Sequence, residues 1–383
     1  MKTEMKTTGW LRFLLSETSG AFGDLGTFLP LVIGAISINH LSSSSVFTLF
    51  GLFYAFSGLF YRMPMAVQPM KAASAYALSY QLTPGEIAAA SVVIGAILLV
   101  LWATGAVKWL VKYTPRSVSI GIQAGLGISL AVLGIKFIMQ QPLVGLILLI
   151  IMFLLFRKNF PAALIALILG IVLGYVTGLI SKLPAIAFGF YLPEIDLPGI
   201  SDLFSASTLT MILIQIPFTL TNAVIATSAL SGKLYPEHKR VTAGNLSLTM
   251  GIANLFSGSL GGIPMCHGSG GVAAHYKFGA RTAIAPVMLG ILFIFTGIFL
   301  GDSGLEMLKI LPAAVLGCLL FYSGVELTCT FKDAKKDEMK VVLLVAAMSI
   351  AINPALGFIL GVLIDYIVRH RHMMFASILH FSE

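Results

Sequence analysis

Long apolar stretches with almost no charges recur along the chain, and they constrain its fold more than any other feature. Windows 86–107, 160–181 and 283–301 each hold roughly 20 residues, enough for an α-helix to cross a hydrocarbon core about 30 Å thick. Strands of a membrane barrel would be about half as long. Of the 383 residues, 57% are hydrophobic and 10% are charged, unlike soluble domains. The sequence therefore predicts an all-α integral membrane protein.

Basic residues alternate between the two sides of the predicted membrane. With about fourteen spans and the N-terminus inside, 20 of the 24 lysines and arginines fall on one side, whereas Lys136, Lys182 and Lys309 fall on the other. This asymmetry follows the positive-inside rule. The formal charge of +8 therefore indicates orientation, with both termini cytoplasmic in a plasma or inner membrane. It gives no support for a nucleic-acid partner.

An internal repeat appears when the sequence is shifted by 200 residues. Residues 51–65 read GLFYAFSGLFYRMPM and residues 251–265 read GIANLFSGSLGGIPM. Eight of 26 positions coincide, where about two are expected by chance. Seven spans per copy is an odd number, so the second copy enters the membrane from the opposite side. We predict inverted repeats at 1–184 and 207–372, an extracytoplasmic connection at 185–206 and a cytoplasmic tail at 373–383.

Each copy contains a broken membrane segment at the same place. RMPMAVQPMKAASAYAL (62–78) and GGIPMCHGSGGVAAHYKFG (261–279) start with a proline-containing stretch and continue with about ten helix-compatible residues. Such half-helices, here in spans 3 and 10, meet near the midplane at the substrate site of inverted-repeat transporters. Their free N–H groups and positive dipole ends suit an anion. Lys71 adds a full positive charge, which inside a membrane marks a site or pathway.

Several polar residues near these segments have two interpretations. Lys71 either faces a transported anion or pairs with Asp24, and it can also snorkel to the surface. His267 is either a hydrogen-bonded interior residue or a ligand. Asn222 and Gln215, in span 8, either bridge helices or face the ligand. By their positions, we expect Glu326 at the water interface and His275 as an interfacial anchor.

Three motifs resemble one family. FGDLGTFLPLVIG (22–34), VQPMKA (67–72) and PMCHGSGGVAAHYKFGAR (264–281) are similar to the molybdate transporter family, a branch related to the sulfate permeases. The resemblance runs along nearly the whole chain. It implies seven plus seven inverted spans in a core and a gate domain, with substrate held between spans 3 and 10. It also implies an oxyanion cargo: molybdate first, then sulfate or tungstate.

The residues and the resemblance together define the expected site. The substrate-binding residues are Gln68, Lys71, Thr27, His267, Gly268, Ser269, Gly270, Gly271 and Asn222, with Asp24 as the candidate for ion coupling or an ion pair. No metal or cofactor is implied. The expected partners are the oxyanion and membrane lipid, while dimerisation through membrane spans stays open. Because the chain ends at Glu383, we expect no C-terminal regulatory domain like that of the sulfate permeases.

The expected function is a secondary active transporter that works by alternating access. The chain lacks the G-x-x-x-x-G-K-[ST] motif, so ion gradients rather than ATP would supply the energy. A sulfate transporter and a uracil- or xanthine-type permease of the same fold are alternatives, and so is a passive anion channel. Nucleobase permeases usually present carboxylates to a planar neutral base, whereas lysine, histidine, hydroxyl and backbone N–H groups favour an anion. An enzyme is not expected, because H-E-x-x-H and G-x-S-x-G are absent.

Overall fold

The computed structural model describes residues 2–107, 115–156, 162–178, 187–193, 195–309 and 312–379. Most of this part is helical. The first half contains α1 (Lys2–Phe22), α2 (Leu25–Ser37), α3 (Ser43–Tyr61), α4 (Lys71–Tyr80), α5 (Pro84–Thr104), α6 (Arg116–Ile138), α7 (Pro142–Phe156) and α8 (Ala162–Val176). The second half contains α9 (Ala206–Leu234), α10 (Ala243–Ser259), α11 (Ser269–Lys277), α12 (Ile284–Lys309), α13 (Ala313–Thr328), α14 (Met339–Ala351) and α15 (Pro354–Leu379).

Apolar helices of membrane-spanning length agree with the predicted class. In the described part, α3, α5, α6, α9, α12 and α13 are each long and apolar enough to cross a membrane. Shorter apolar stretches lie in α2, α7, α14 and α15. The windows 86–107, 160–181 and 283–301 coincide with α5, α8 and α12. The prediction of an all-α membrane protein is confirmed, and the count of fourteen spans stays a prediction.

Two very short strands bring the proline-containing stretches together. In β1 (Gln68–Pro69) and β2 (Met265–Cys266) the chains run antiparallel, with Gln68 opposite Cys266. The backbone N–H of Met70 also donates to the carbonyl of Pro264 over 2.8 Å. Proline has no backbone N–H to donate within a helix, which disfavours helix there, and both stretches are extended before α4 and α11 begin. The N-terminal ends of these two short helices therefore lie side by side.

The middle of α9 is wound as a π-helix, Thr219–Ala226, and the parts of α9 on either side of it contact the two short helices. Gln215 Oε1 accepts the backbone N–H of Ala73 over 2.8 Å, which satisfies a free donor in the first turn of α4. Thr227 Oγ1 donates to the carbonyl of His267, just before α11, over 2.8 Å. Insertions of this kind occur frequently at functional sites. Gln215 thus bridges helices, which was one of its two predicted roles.

Helices α6 and α13 form a closely packed pair, in which α6 also contacts α4 and α13 also contacts α2. Gly127 and Gly324 face each other there. A Cβ atom on Gly127 would lie 2.7 Å from the Gly324 oxygen, and one on Gly324 would lie 2.5 Å from the Gly127 oxygen. Only glycine allows two backbones to approach this closely. Helices α14 and α15 pack on α6, and α7 packs on α13.

The described part of the predicted connection lies across the end of α10 and the middle of α12. The N–H of Tyr191 donates to the carbonyl of Ile298 over 2.8 Å, and that of Asp196 donates to the carbonyl of Ser259 over 3.0 Å. Ser205 then caps the start of α9 and donates from Oγ to Glu86 of α5. These contacts fix the entry of the chain into α9.

Candidate functional site

A cavity of about 640 Å³ lies between the short-helix starts and the α6–α13 pair. Its size is within the usual range of small-ligand sites. The wall formed by α4, α9 and α11 carries Lys71, Asn222, Ser269 and Gly270. The polar and charged residues of the opposite wall, from α6, α13 and the turn that follows α13, are Arg116, Ser119, Gln123, Ser323, Glu326, Thr330 and Asp333.

Lys71 is the first residue of α4, and its ammonium group reaches into this cavity. Its Nζ lies 3.3 Å from Glu326 Oε1 of α13. The two side chains are 20% and 36% exposed. The ion pair of Lys71 in this structure is with Glu326, and a pairing with Asp24, which the sequence left open, stays a prediction. Glu326, expected at the water interface, is a cavity residue.

The start of α11 faces Lys71. A Cβ atom on Gly270 would lie 3.9 Å from Lys71 Nζ, so the backbone itself forms the wall there. Ser269 Oγ donates to Asn222 Oδ1 over 2.7 Å. The first N–H groups of a helix have no acceptor within the helix. An ammonium group, a hydroxyl group and a helix N-terminus therefore converge on one part of the cavity, as the sequence predicted for Lys71, Ser269, Gly270 and Asn222.

Two other predicted glycines serve close packing behind the cavity wall. A Cβ atom on Gly268 would collide with Gln68 Oε1, and one on Gly271 would lie 2.7 and 2.8 Å from the two Asp24 carboxylate oxygens. Neither glycine lines the cavity. Their lack of a side chain lets α11 begin against Gln68 and Asp24, so their contribution to the site is indirect.

Asp24 is a buried N-cap residue of α2 that holds this region together from behind. Tyr54 Oη donates to its Oδ2 over 3.1 Å, and Gln68 Nε2 donates to its Oδ1. His275 Nε2 lies 4.0 Å from Asp24 Oδ2, while its Nδ1 lies 2.8 Å from the Gly20 oxygen. His275 is fully buried, so the expectation of an interfacial anchor is wrong. A packed core surrounds it instead of lipid headgroups.

His267 is engaged on both ring nitrogens by the protein itself. Nδ1 lies 2.9 Å from the Ala66 oxygen and Nε2 lies 3.0 Å from Thr249 Oγ1. The ring is fully buried and packs on Phe53 and Tyr61, with ring centroids 4.9 and 5.4 Å away. Of its two predicted roles, the geometry corresponds to the interior residue, because no ring nitrogen faces the cavity.

Two predicted site residues, Gln68 and Thr27, have not yet been located relative to the cavity. Gln68 is buried in β1 beside Asp24, outside the cavity lining. Thr27 belongs to α2, but its side chain lies outside the part of the chain that the structure describes.

Sequence reasoning missed the second wall of the cavity. Ser119 and Gln123 are four residues apart on α6, and Ser323 and Glu326 are three apart on α13. Residues at these spacings share one helix face. A polar stripe on an otherwise apolar span was thus the available signal, although it does not say which other helix it faces.

Sequence comparison identifies relatives over nearly the whole chain. A family profile described as "Molybdate transporter of MFS superfamily" matches residues 16–130 and 207–327. Molybdate transporter 2 of Arabidopsis thaliana is 34% identical over 98% of this chain and 93% of its own length. Molybdate transporter 1 of Chlamydomonas reinhardtii is 27% identical over 92% of this chain and 91% of its own.

Comparison with solved structures identifies the fold. The transmembrane domain of the cyanobacterial bicarbonate transporter BicA aligns with a TM-score of 0.64 at 16% identity, covering 93% of this chain and 97% of that one. SLC26A9 aligns with a TM-score of 0.66 at 14% identity, covering 94% of this chain and 66% of that one. With the profile match and the relatives, the chain belongs to the molybdate transporter family, a family of transporters rather than enzymes.

Proposed function

We propose that this protein is a secondary active transporter of a tetrahedral oxyanion, with molybdate as the first candidate cargo. The observation that carries the proposal is the convergence of Lys71 with the start of α11, where the Cβ position of Gly270 is 3.9 Å from Nζ. The oxygens of an oxyanion accept hydrogen bonds on every side of the ion, and this wall of the cavity offers charged and neutral donors. The names of the relatives support molybdate, and sulfate is the alternative.

A nucleobase permease remains the second candidate because of one observation. Glu326 presents a carboxylate to the cavity, and carboxylates suit the N–H edges of a planar neutral base. In this structure, however, Glu326 is paired with Lys71 at 3.3 Å. The neutralised pair leaves the N-terminus of α11 as the nearby polar feature that a ligand can bind, and a helix N-terminus favours an anion.

We also propose fourteen spans in two inverted repeats, with α4 and α11 as half-helices. Ten residues of α4 rise about 15 Å, half of a hydrocarbon core. The order of α2 to α6 is repeated by α9 to α13. Helix α3 packs on α12, and α10 packs on α5. Because α10 is the counterpart of α3 and α12 is the counterpart of α5, these two contacts are equivalent in the two repeats. The two segments matched by the profile, which begin about 190 residues apart, support the same division.

In this proposal the cavity separates the core domain from the gate domain. The core contains α1–α5 and α9–α12, and the gate contains α6–α8 and α13–α15. Arg116 and Asp333 lie at those ends of the cavity-lining segments that the positive-inside rule assigns to the cytoplasm. The described state would then be open to the cytoplasm, and transport would require a shift of the core against the gate.

Asp24 is the residue we propose for coupling to protons. It is buried directly behind the start of α11 and lies 4.0 Å from His275. Protonation of this carboxylate would change the charge felt by the site. Asp24→Asn should bind molybdate but fail to concentrate it in vesicles with an inward proton gradient. Uptake that survives collapse of the pH gradient in the unaltered protein would refute proton coupling.

The cargo is tested by thermal-shift competition on the purified protein with molybdate, tungstate, sulfate and uracil at matched ionic strength. A ligand of the folded state raises the melting temperature by mass action. We expect stabilisation by molybdate and tungstate at far lower concentrations than by sulfate. Stabilisation by sulfate alone would change the cargo within the same proposal, and stabilisation by uracil alone would overturn the anion assignment.

A further inference from the structure

The ion pair between Lys71 and Glu326 joins the two walls of the cavity. Lys71 begins α4 on one wall, and Glu326 belongs to α13 on the other. Both side chains are partly exposed, so the pair lies in accessible space rather than in a sealed core. The sequence separation of 255 residues shows that only the tertiary fold brings them together.

The Glu326 carboxylate lies where an oxyanion would have to bind Lys71. An oxygen 3.3 Å from Nζ is a negatively charged acceptor on the ammonium group, which is the contact an oxyanion oxygen would make. A dianion on Lys71 would therefore lie next to a second negative charge. Charges of like sign repel strongly at this separation when water does not fully screen them. The anion and Glu326 thus compete for one cation.

The backbone of α13 gives Glu326 little freedom to retreat. Gly324, two residues before it, has its backbone against that of Gly127 in α6. Helix α13 is therefore tied to α6, and Glu326 can leave Lys71 only by turning its own side chain or by movement of the whole pair. The contact between Lys71 and Glu326 therefore depends on the relative position of the two cavity walls.

We propose that Glu326 is an internal competitor for Lys71. Its carboxylate binds the ammonium group when the cavity is empty, and an oxyanion must displace this carboxylate to reach Lys71. This inference rests on the proposed function. It makes Glu326 an affinity-determining residue, because every oxyanion must first displace the same carboxylate from the ammonium group.

The test compares Glu326→Gln with Asp333→Asn in the purified full-length protein. Both variants remove one negative charge from the same cavity, but Asp333 is at the end of the turn after α13. Affinities for molybdate and nitrate are measured by calorimetry at fixed ionic strength. We expect Glu326→Gln to bind molybdate about tenfold more tightly and to gain affinity for nitrate, because an unpaired ammonium is a stronger site. Asp333→Asn should change either affinity by less than about threefold.

Transport kinetics provide a second measurement that a purely structural role would not affect in this way. Return of Glu326 to Lys71 helps to expel the anion, so Glu326→Gln should lower both the KM and the maximal rate of molybdate transport. Glu326→Asp, which keeps the charge on a shorter side chain, should give intermediate affinities. It serves as the alternative variant if Glu326→Gln does not fold.

The outcomes separate this inference from the proposed function. Unchanged or weaker molybdate binding in Glu326→Gln, with normal binding in the unaltered protein and loss in Lys71→Ala, would overturn the role of Glu326 alone. Binding that appears only in Glu326→Gln would support it strongly. Absence of oxyanion binding in the unaltered protein and in every variant would overturn both proposals.

Discussion

The charge of Lys71 should contribute more to oxyanion binding than to the stability of the fold. Its ion pair with Glu326 is partly exposed, and such pairs contribute only about 0–1 kcal/mol to the free energy of unfolding. Lys71→Ala should therefore leave the melting temperature of the empty protein almost unchanged. Loss of the charged donor should weaken molybdate binding by about 100-fold.

The measurement is calorimetric affinity and melting temperature on the same preparation, with Lys71→Arg as the matched control. Arginine keeps the charge and should retain part of the affinity. Tight binding by Lys71→Ala would return this lysine to a structural role.

At the level of single residues, the sequence predicted chemistry better than it predicted partners. Lys71 and Ser269 were found because a charge and a hydroxyl follow proline or glycine in short motifs. Glu326 was assigned to the interface, since nothing local links it to a lysine 255 residues away. His267 illustrates the reverse case. Its residue type suggests a ligand, but the protein occupies both of its ring nitrogens.

The first turn of α11 provides two neighbouring glycines with opposite expected effects. In Gly270→Ala the new methyl group would point toward the cavity, with Lys71 Nζ 3.9 Å away. In Gly271→Ala it would lie 2.5 Å from Ala66 Cβ and 2.7 Å from Asp24 Oδ2. The substitutions are identical in chemistry and adjacent in sequence, so each is the control for the other.

We expect Gly270→Ala to keep the melting temperature and to weaken molybdate binding, because the methyl group narrows the space in front of the helix. Gly271→Ala should lower the free energy of unfolding by about 1–3 kcal/mol through overpacking. Thermal unfolding and calorimetric titration of both variants check this pair. Equal effects of the two substitutions on both quantities would contradict the geometry of α11.

The breaks in the helices were predictable, whereas their contacts were not. Proline and glycine in 62–78 and 261–279 indicated extended stretches followed by short helices, and α4 and α11 have that form. The pairing of β1 with β2 involves only two residues on each strand, too few for a strand pattern. The π-helical part of α9 also has no sequence pattern of its own, apart from Pro217 just before it.

For the whole molecule, the side to which the cavity opens can be measured by cysteine labelling. Cys266 and Cys318 are buried and Cys329 is exposed, so Cys329→Ser provides a suitable background. In it, Thr221→Cys should react with a membrane-impermeant maleimide from the cytoplasmic side, because Thr221 lines the cavity and is partly exposed. Molybdate should slow that reaction.

The matched control is Ile195→Cys in the same background. Ile195 is 78% exposed in the predicted extracytoplasmic connection, so it should react only from the outside and without protection by molybdate. Labelling of both cysteines from the same side would contradict the proposed orientation.

The overall architecture was predictable from periodic features, because hydrophobic windows and the alternation of basic residues act over the whole chain. The packing of α6 against α13 was not, since the glycines that allow it resemble glycines elsewhere in the spans. The cavity, like this packing, was not predictable from the sequence. It lies between elements distant in sequence, and only their packing creates it.

The antiparallel pairing of β1 with β2 has a consequence for symmetry. Two antiparallel strands are related by a local two-fold axis perpendicular to them, and here that axis passes between the starts of α4 and α11. A tetrahedral ion possesses two-fold axes of its own, each bisecting two pairs of oxygens. An oxyanion placed on the axis could therefore offer one pair of oxygens to each helix, so that a duplicated protein and its ligand would share the same rotation.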